Sequence, residues 1–142
     1  MLLWGMKTEA AFDVWSVEHL MMGMTLGWLS ARIARKMTGS ERVSDALFKK
    51  ITLILVLMFS FMWETVEHYL ETGLAGEAVA FWLQGVEHWS NRLIFDGLMV
   101  TAGFYIYLQN NRIVWFARIF SLVWLIVHIF VFPHSMYLHE IM

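Results

Sequence analysis

The chain has no cysteine among its 142 residues, only one proline and little charge. Without thiols, it cannot form disulfides, iron–sulfur clusters or thiolate metal sites. It has 10 lysines and arginines and 12 aspartates and glutamates, and the resulting net charge of −2 gives no basis for nucleic-acid binding. The first residues lack the basic start, long apolar run and small-residue cleavage site of a secretory signal, so we expect no signal peptide.

Apolar side chains dominate the composition. The chain is 59% hydrophobic and contains 8 tryptophans, 11 phenylalanines and 11 methionines. A chain of 142 residues cannot bury so much apolar surface in one core, and lipid must cover the surplus. We therefore predict a single integral membrane domain, residues 1–142, whose first partner is the lipid bilayer.

Apolar runs and helical periodicity predict an all-α fold, a bundle of four transmembrane helices. The predicted spans are 14–34, 51–70, 92–108 and 113–132. On the first span, small residues recur every four positions, at Gly23, Gly27 and Ala31, a pattern typical of close helix packing. The pair Ser44-Asp45 resembles a helix cap and is a candidate start for the second helix.

A short amphipathic helix is predicted between spans two and three, at 76–90. It has an apolar stripe with two tryptophans and an opposite polar stripe, and too few apolar residues to cross a membrane. We expect it to lie in the membrane interface. Gly73, Gly76 and Gly85 are its predicted joints.

Basic residues predict the orientation. Lysines and arginines concentrate in the connections after spans one and three, whereas Lys7 and Arg92 alone lie on the opposite side. By the positive-inside rule, both termini and the interfacial helix lie on the non-cytoplasmic side.

Ionisable side chains converge at the outer ends of the spans. The stretch FMWETVEHYLE, 61–71, ends span two with acids and a histidine at three- and four-residue spacing. Such groups are costly inside a membrane unless they have partners, so we predict a metal site in this layer. The candidate ligands are His19, Glu64, Glu67, His68, Asp96 and His128. Glu67 is a ligand or the base of a reaction, and no other catalytic residue is indicated.

Three Glu-His dipeptides, 18–19, 67–68 and 87–88, lie in the same layer. Neighbouring residues on a helix point about 100° apart, so the two members of a pair cannot bind one ion together. We expect one member to face the bundle axis and the other to face a neighbouring helix or the rim.

Carboxylates and imidazoles without thiolates suit a divalent metal such as zinc, iron or copper. At an open coordination position, such a metal activates water for hydrolysis. If the metal is iron, it can instead react with dioxygen. Haem ligated by histidines is a weaker alternative, because haem pockets seldom hold several acids in one layer.

A third interpretation is structural. The acids and histidines would pair with each other, with Arg92 or with basic groups of a partner chain. The protein would then be an accessory subunit of a larger respiratory, photosynthetic or oxygenase complex, with the polar groups used for pairing or for haem or pigment ligation. Under each interpretation we expect other membrane subunits or further copies of the chain as partners.

Three short marks are shared with a known group of proteins. They are His19-xxx-Gly23, Trp63-Glu64-xx-Glu67, and Asn91 with Asp96 and Gly103. In these marks the chain resembles the VanZ-like and YjdF-like small bacterial membrane proteins. The resemblance implies a bacterial inner-membrane location and a shared polar set of His19, Glu64, Glu67 and Asp96. The VanZ case is associated with antibiotic resistance, but the resemblance does not indicate which reaction, if any, this chain would catalyse. Asn91 and Asp96 are five residues apart, where those families more often show four.

Overall fold

The computed structural model describes residues 2–39, 44–83 and 85–131. It is mostly helical, which confirms the all-α prediction. Two π-helical turns, Asn91–Phe95 and Val127–Val131, extend the fourth helix at its start and the fifth helix at its end. The α-helices are α1 (Val14–Thr38), α2 (Asp45–Glu71), α3 (Glu77–Leu83), α4 (Asp96–Gln109) and α5 (Ile113–Ile126).

Capping side chains define where the first two helices begin. The Asp13 carboxylate accepts hydrogen bonds from the backbone N–H groups of Trp15 and Ser16 at 2.7 and 3.1 Å. The Ser44 hydroxyl accepts from the N–H of Leu47, so α2 begins at Asp45, as the capping pattern predicted.

The predicted interfacial helix is shorter than expected. α3 has 7 residues, and residues 85–88 after it are not helical. Gly76 and Gly85, on either side of α3, have φ angles of 108° and 97°, which disfavour any residue with a side chain. Both act as joints, as predicted.

Of the helices in the described ranges, α2 alone is both long and apolar enough to cross a membrane. α5 is apolar but shorter. The core between α1, α2, α4 and α5 is formed by eight buried residues. They are Met24, Ala31, Val56, Val100, Phe104, Tyr107, Val114 and Ala117.

The closest helix contact joins α1 and α4 through two glycines. A Cβ added to Gly23 would lie 2.1 Å from the carbonyl oxygen of Val100, and one added to Gly103 would lie 2.1 Å from that of Leu20. Both distances are far below van der Waals contact, and the obstructing atoms are backbone. This geometry confirms the predicted role of the small-residue pattern in close packing.

We expect Gly103→Ala to destabilise the fold by about 1–3 kcal/mol, because α1 must move away to admit the methyl group. The matched control is Gly97→Ala on the same helix, where an added Cβ meets no atom within 4 Å. Unfolding in mixed detergent micelles measures both variants. Equal stability of the two would contradict the close α1–α4 contact.

Basic and acidic side chains separate to opposite ends of the helices. At one end, Arg118 of α5 lies 4.0 Å from the ring centroid of Trp28 in α1 and 5.4 Å from that of Trp115. Arg35 of α1 lies over the ring of Phe48 in α2 at 5.8 Å. At the other end, the start of α1 meets the end of α2 and the start of α4 around buried acids. Sequential long helices are therefore antiparallel.

The N-terminal segment contains two short strands that the sequence did not predict. β1 (Leu2–Trp4) and β2 (Ala10–Phe12) pair in parallel, although so short a connection is unusual between parallel strands. The connecting loop turns on hydrogen bonds to the Met6 carbonyl oxygen from the N–H groups of Glu9 and Ala10, both 2.9 Å long. This loop places Lys7 against the acidic end of the helices, where its side chain is buried.

Candidate metal centre

Five buried side chains meet at the acidic end, and we call them the acidic cluster. They come from the start of α1, the end of α2, the start of α4 and the segment that follows α3. Their exposed fractions run from 1% for Asp96 to 9% for Glu67. The members of the acidic cluster are His19, Glu64, Glu67, Glu87 and Asp96.

His19 has a carboxylate near each of its ring nitrogens. Its Nδ1 lies 2.9 Å from the carbonyl oxygen of Trp15, one turn earlier in α1. A carbonyl only accepts hydrogen bonds, so Nδ1 carries the proton. Nε2 faces the Oε1 atom of Glu64 at 3.0 Å, and Asp96 Oδ1 lies 3.5 Å from Nδ1. A backbone carbonyl that orients the far nitrogen is the usual support of a metal-binding histidine.

Several carboxylate oxygens in the acidic cluster have no hydrogen-bond partner. Glu64 Oε2, Glu87 Oε2 and Asp96 Oδ2 are all buried without a donor in reach. Ionised carboxylates are acceptors only, and burying one unpaired is strongly unfavourable. Three such oxygens at one place require protons or a cation.

The ligand atoms form two overlapping groups. His19, Glu64 and Glu67 offer one atom each within 4.8 Å of one another, and so do Glu64, Glu87 and Asp96. Glu64 belongs to both groups, so its two oxygens connect them. The cluster therefore has room for one cation in either group or for two that share Glu64.

Glu87 was in the predicted polar layer but not among the predicted ligands. It lies in the irregular segment 85–88, which is attached by backbone hydrogen bonds. The N–H of Glu87 donates to Glu71 Oε2 at 3.1 Å, and the N–H of His88 donates to the Lys7 carbonyl oxygen at 2.8 Å. Lys7 and Glu71 also form a buried ion pair. The repeated Glu-His dipeptide was the only sequence signal for Glu87.

Asn91 and Asp96 lie on the same side of their helix despite their five-residue separation. The turn between them is π-helical, and the N–H of Asp96 donates to the Asn91 carbonyl oxygen. One π-helical turn spans this separation, so both side chains are buried toward the cluster. The Asn91 amide donates to Asp13 Oδ2 at 3.0 Å and so joins α4 to the start of α1.

The Glu-His dipeptides divide their members as predicted. His19, Glu67 and Glu87 enter the acidic cluster. Their partners do not: the His68 ring accepts a hydrogen bond at Nδ1 from Arg92 at 2.6 Å, and His88 bonds Ser90 at 2.8 Å.

Of the predicted ligands, the structure brings together four and separates one. His19, Glu64, Glu67 and Asp96 meet in the cluster. His68 contacts Arg92 instead. The side chain of His128 lies outside the described part of the chain.

Burial raises the pKa of Glu87 to about 10, and the nearby carboxylates, first that of Asp96, add to the rise. The unfolded chain loses this proton near the ordinary value of 4.5, whereas the folded, metal-free protein keeps it up to about 10. The folded state binds more protons in between, so its stability falls as pH rises through this window.

We expect the melting temperature of metal-free protein to fall as the pH rises from about 5 to about 9. Glu87→Gln removes one ionisable group and should make the profile less steep and raise the alkaline melting temperature. Exposed Glu77→Gln is the control and should keep the slope. A flat profile in the unmodified, metal-free protein would contradict the prediction.

One side of the acidic cluster borders an apolar cavity of about 700 Å³, which His19 and Glu67 help to line. The cluster is accessible from this cavity. On its other side, the buried residues Lys7 and Asn91 close it off from solvent.

No protein-family model, curated protein or solved structure matches this chain. The resemblance to the VanZ-like and YjdF-like proteins stays a prediction.

Proposed function

We propose that this chain is a four-span membrane protein that holds a divalent metal in the acidic cluster, near the non-cytoplasmic membrane face. The observation that carries the proposal is the meeting of three buried, unpartnered carboxylate oxygens, from Glu64, Glu87 and Asp96. A bound cation would satisfy all three without changing the fold.

The charges of the cluster fit a divalent metal. Four carboxylates face one imidazole, and Lys7 is already paired with Glu71 outside the cluster. One or two divalent cations offset the remaining negative charge. A set rich in carboxylate with a single imidazole favours iron, manganese or zinc over copper.

The membrane part of the proposal rests on helix length and on the outward surface. α1 has 25 residues and α2 has 27. The 14 residues of α4 follow directly on 5 π-helical residues, and α5 is continued by 5 more, so both segments approach the length of a span. Large apolar side chains cover the outward faces of α2 and α5. Examples are Ile54, Phe61, Met62, Trp115, Phe116 and Ile119.

Burial argues against pairing with a partner subunit. The cluster side chains are at most 9% exposed, and their one open side faces the apolar cavity, so a basic group of another chain would have to cross apolar surface to reach them. Haem is also disfavoured, because among the described residues His19 is the only imidazole in the cluster and four carboxylates surround it.

The cluster residues would have two different roles in such a centre, as metal ligands and as a base. His19, Glu64, Glu87 and Asp96, which come from both groups with Glu64 shared, would hold one or two metal ions, and the metal would supply Lewis acidity there. Glu67 belongs to the cluster and also lines the cavity, so it is the cluster carboxylate placed to take a proton from a molecule in the cavity.

Elemental analysis and an absorption spectrum of never-chelated protein test the proposal. We expect about one or two equivalents of iron, manganese or zinc per chain and no Soret band. Protein that stays metal-free after incubation with each of these ions would overturn the metal centre. A Soret band would assign the site to haem instead.

A further inference from the structure

The apolar cavity next to the acidic cluster lies between four helices. Side chains of α1, α2, α3 and α5 form its walls, and its volume of about 700 Å³ is in the range of pockets that hold small organic ligands. Apolar residues make up most of the lining, among them Met22, Trp63, Leu70, Val79, Leu122 and Leu125.

The polar side chains of the cavity are few. Among the described residues, the lining side chains with a carboxylate, imidazole or hydroxyl group are Glu18, His19, Glu67 and Ser121, and two of them, His19 and Glu67, belong to the acidic cluster. A molecule in the cavity therefore has apolar contacts along most of its length and polar contacts beside the cluster.

The cavity opens toward the surface that the proposed bundle turns to lipid. α2 and α5 both pack on α1, and their cavity-lining residues Trp63 and Leu122 remain 47% and 58% exposed. Side chains that line a cavity and are also half exposed mark its mouth. The neighbouring residues Met62 and Val123 extend the same apolar surface around it.

We infer that the cavity binds the hydrocarbon chain of a single-chain amphiphile that enters from the bilayer, with an uncharged, oxygen-bearing head at Glu67 and His19. The inference rests on the proposed function and names the substrate class of the proposed centre. A hydrocarbon chain matches the apolar walls, and a lateral mouth gives it a path that avoids water.

Charge selects the head group. Glu18 and Glu67 both face the cavity, so an anionic head meets two carboxylates. A cationic head loses its advantage once a metal offsets the charge of the cluster. A hydroxyl group can donate to Glu67 and still present its oxygen to the cluster.

The probe is a long-chain alcohol with a photoreactive diazirine near the end of its chain, added to full-length protein in detergent micelles. Mass spectrometry locates the labelled residues. We expect label on Met22 and Val79, two cavity residues from different helices. Excess hexadecanol should compete at least about tenfold better than hexadecanoate or hexadecylamine.

Paired variants separate the cavity from the general lipid surface. Leu122→Trp with Leu125→Trp places bulk in the mouth and should reduce cavity labelling about tenfold. Val123→Trp with Ile126→Trp is the control, because these residues are similarly exposed but do not line the cavity. Equal labelling in both double variants, or label spread over the outer surface, would overturn the inference.

Metal content measured on the same samples separates this inference from the proposed function. Cavity labelling in a protein that binds no metal overturns the metal centre and supports the site for the hydrocarbon chain, and the expected disadvantage of hexadecylamine then no longer applies. Bound metal without cavity labelling overturns the inference alone. Labelling that appears only after deletion of residues 133–142 would assign the cavity to the chain's own C-terminal segment and overturn it.

Discussion

Glu64→Gln is expected to lower metal affinity at least about 100-fold, since even residues that only orient ligands cost 10- to 100-fold. Glu64 belongs to both groups of candidate ligands, and its Oε2 atom has no other partner. Glutamine keeps the size of the side chain and can still contact His19. It replaces one carboxylate oxygen with an amide nitrogen, which is a poor metal ligand. Both groups therefore lose a ligand through one substitution.

Two measurements distinguish a ligand from a structural residue at this position. Metal per chain should fall well below that of unmodified protein, while the metal-free variant stays as stable as metal-free unmodified protein. Glu77→Gln makes the same chemical change at an exposed site and should alter neither quantity. If Glu64 only pairs with His19, the opposite result is expected: lower stability and unchanged metal content.

The helices were predictable because their signals are local. Apolar periodicity placed α1, α2, α4 and α5, and a capping serine marked where α2 begins. The helix predicted at 76–90 ended early because Gly85 adopts a positive φ that a helix does not use.

The acidic cluster was only partly predictable. His19, Glu64, Glu67 and Asp96 lie on helices, so their spacing and depth indicated that they would meet. His68 has a suitable spacing from Glu64, but its ring contacts Arg92, which lies in another segment, and it is not part of the cluster.

Glu87 and Lys7 lie in irregular segments that are positioned by each other. The N–H of His88 bonds the Lys7 carbonyl oxygen, and Glu71 contacts both segments. Such positions depend on contacts between residues far apart in the chain, for which neither periodicity nor composition gives a signal. From the sequence, Lys7 was noted only as one of the two basic residues on the non-cytoplasmic side, with no predicted partner.

The buried ion pair of Lys7 and Glu71 is the second place where a single substitution should have a large effect. The Lys7 side chain is 1% exposed, and Glu71 also accepts a hydrogen bond from the N–H of Glu87. Lys7→Met leaves the Glu71 carboxylate buried without its cation. Breaking one side of a buried pair costs about 3–5 kcal/mol, and we expect a loss of stability of that size.

A double variant shows whether the uncompensated charge is the cause. Glu71→Gln removes the charge and keeps an oxygen for the Glu87 N–H, so Lys7→Met with Glu71→Gln should be more stable than Lys7→Met alone. Lys49→Met, at an exposed lysine, controls for the substitution itself and should change little. The hydrogen bond from the N–H of His88 to the Lys7 carbonyl oxygen is between backbone atoms, so neither variant removes it. The folded double variant should therefore keep its metal content at saturating metal. A double variant no more stable than Lys7→Met would show that packing of the lysine side chain, and not its charge, anchors the N-terminal loop.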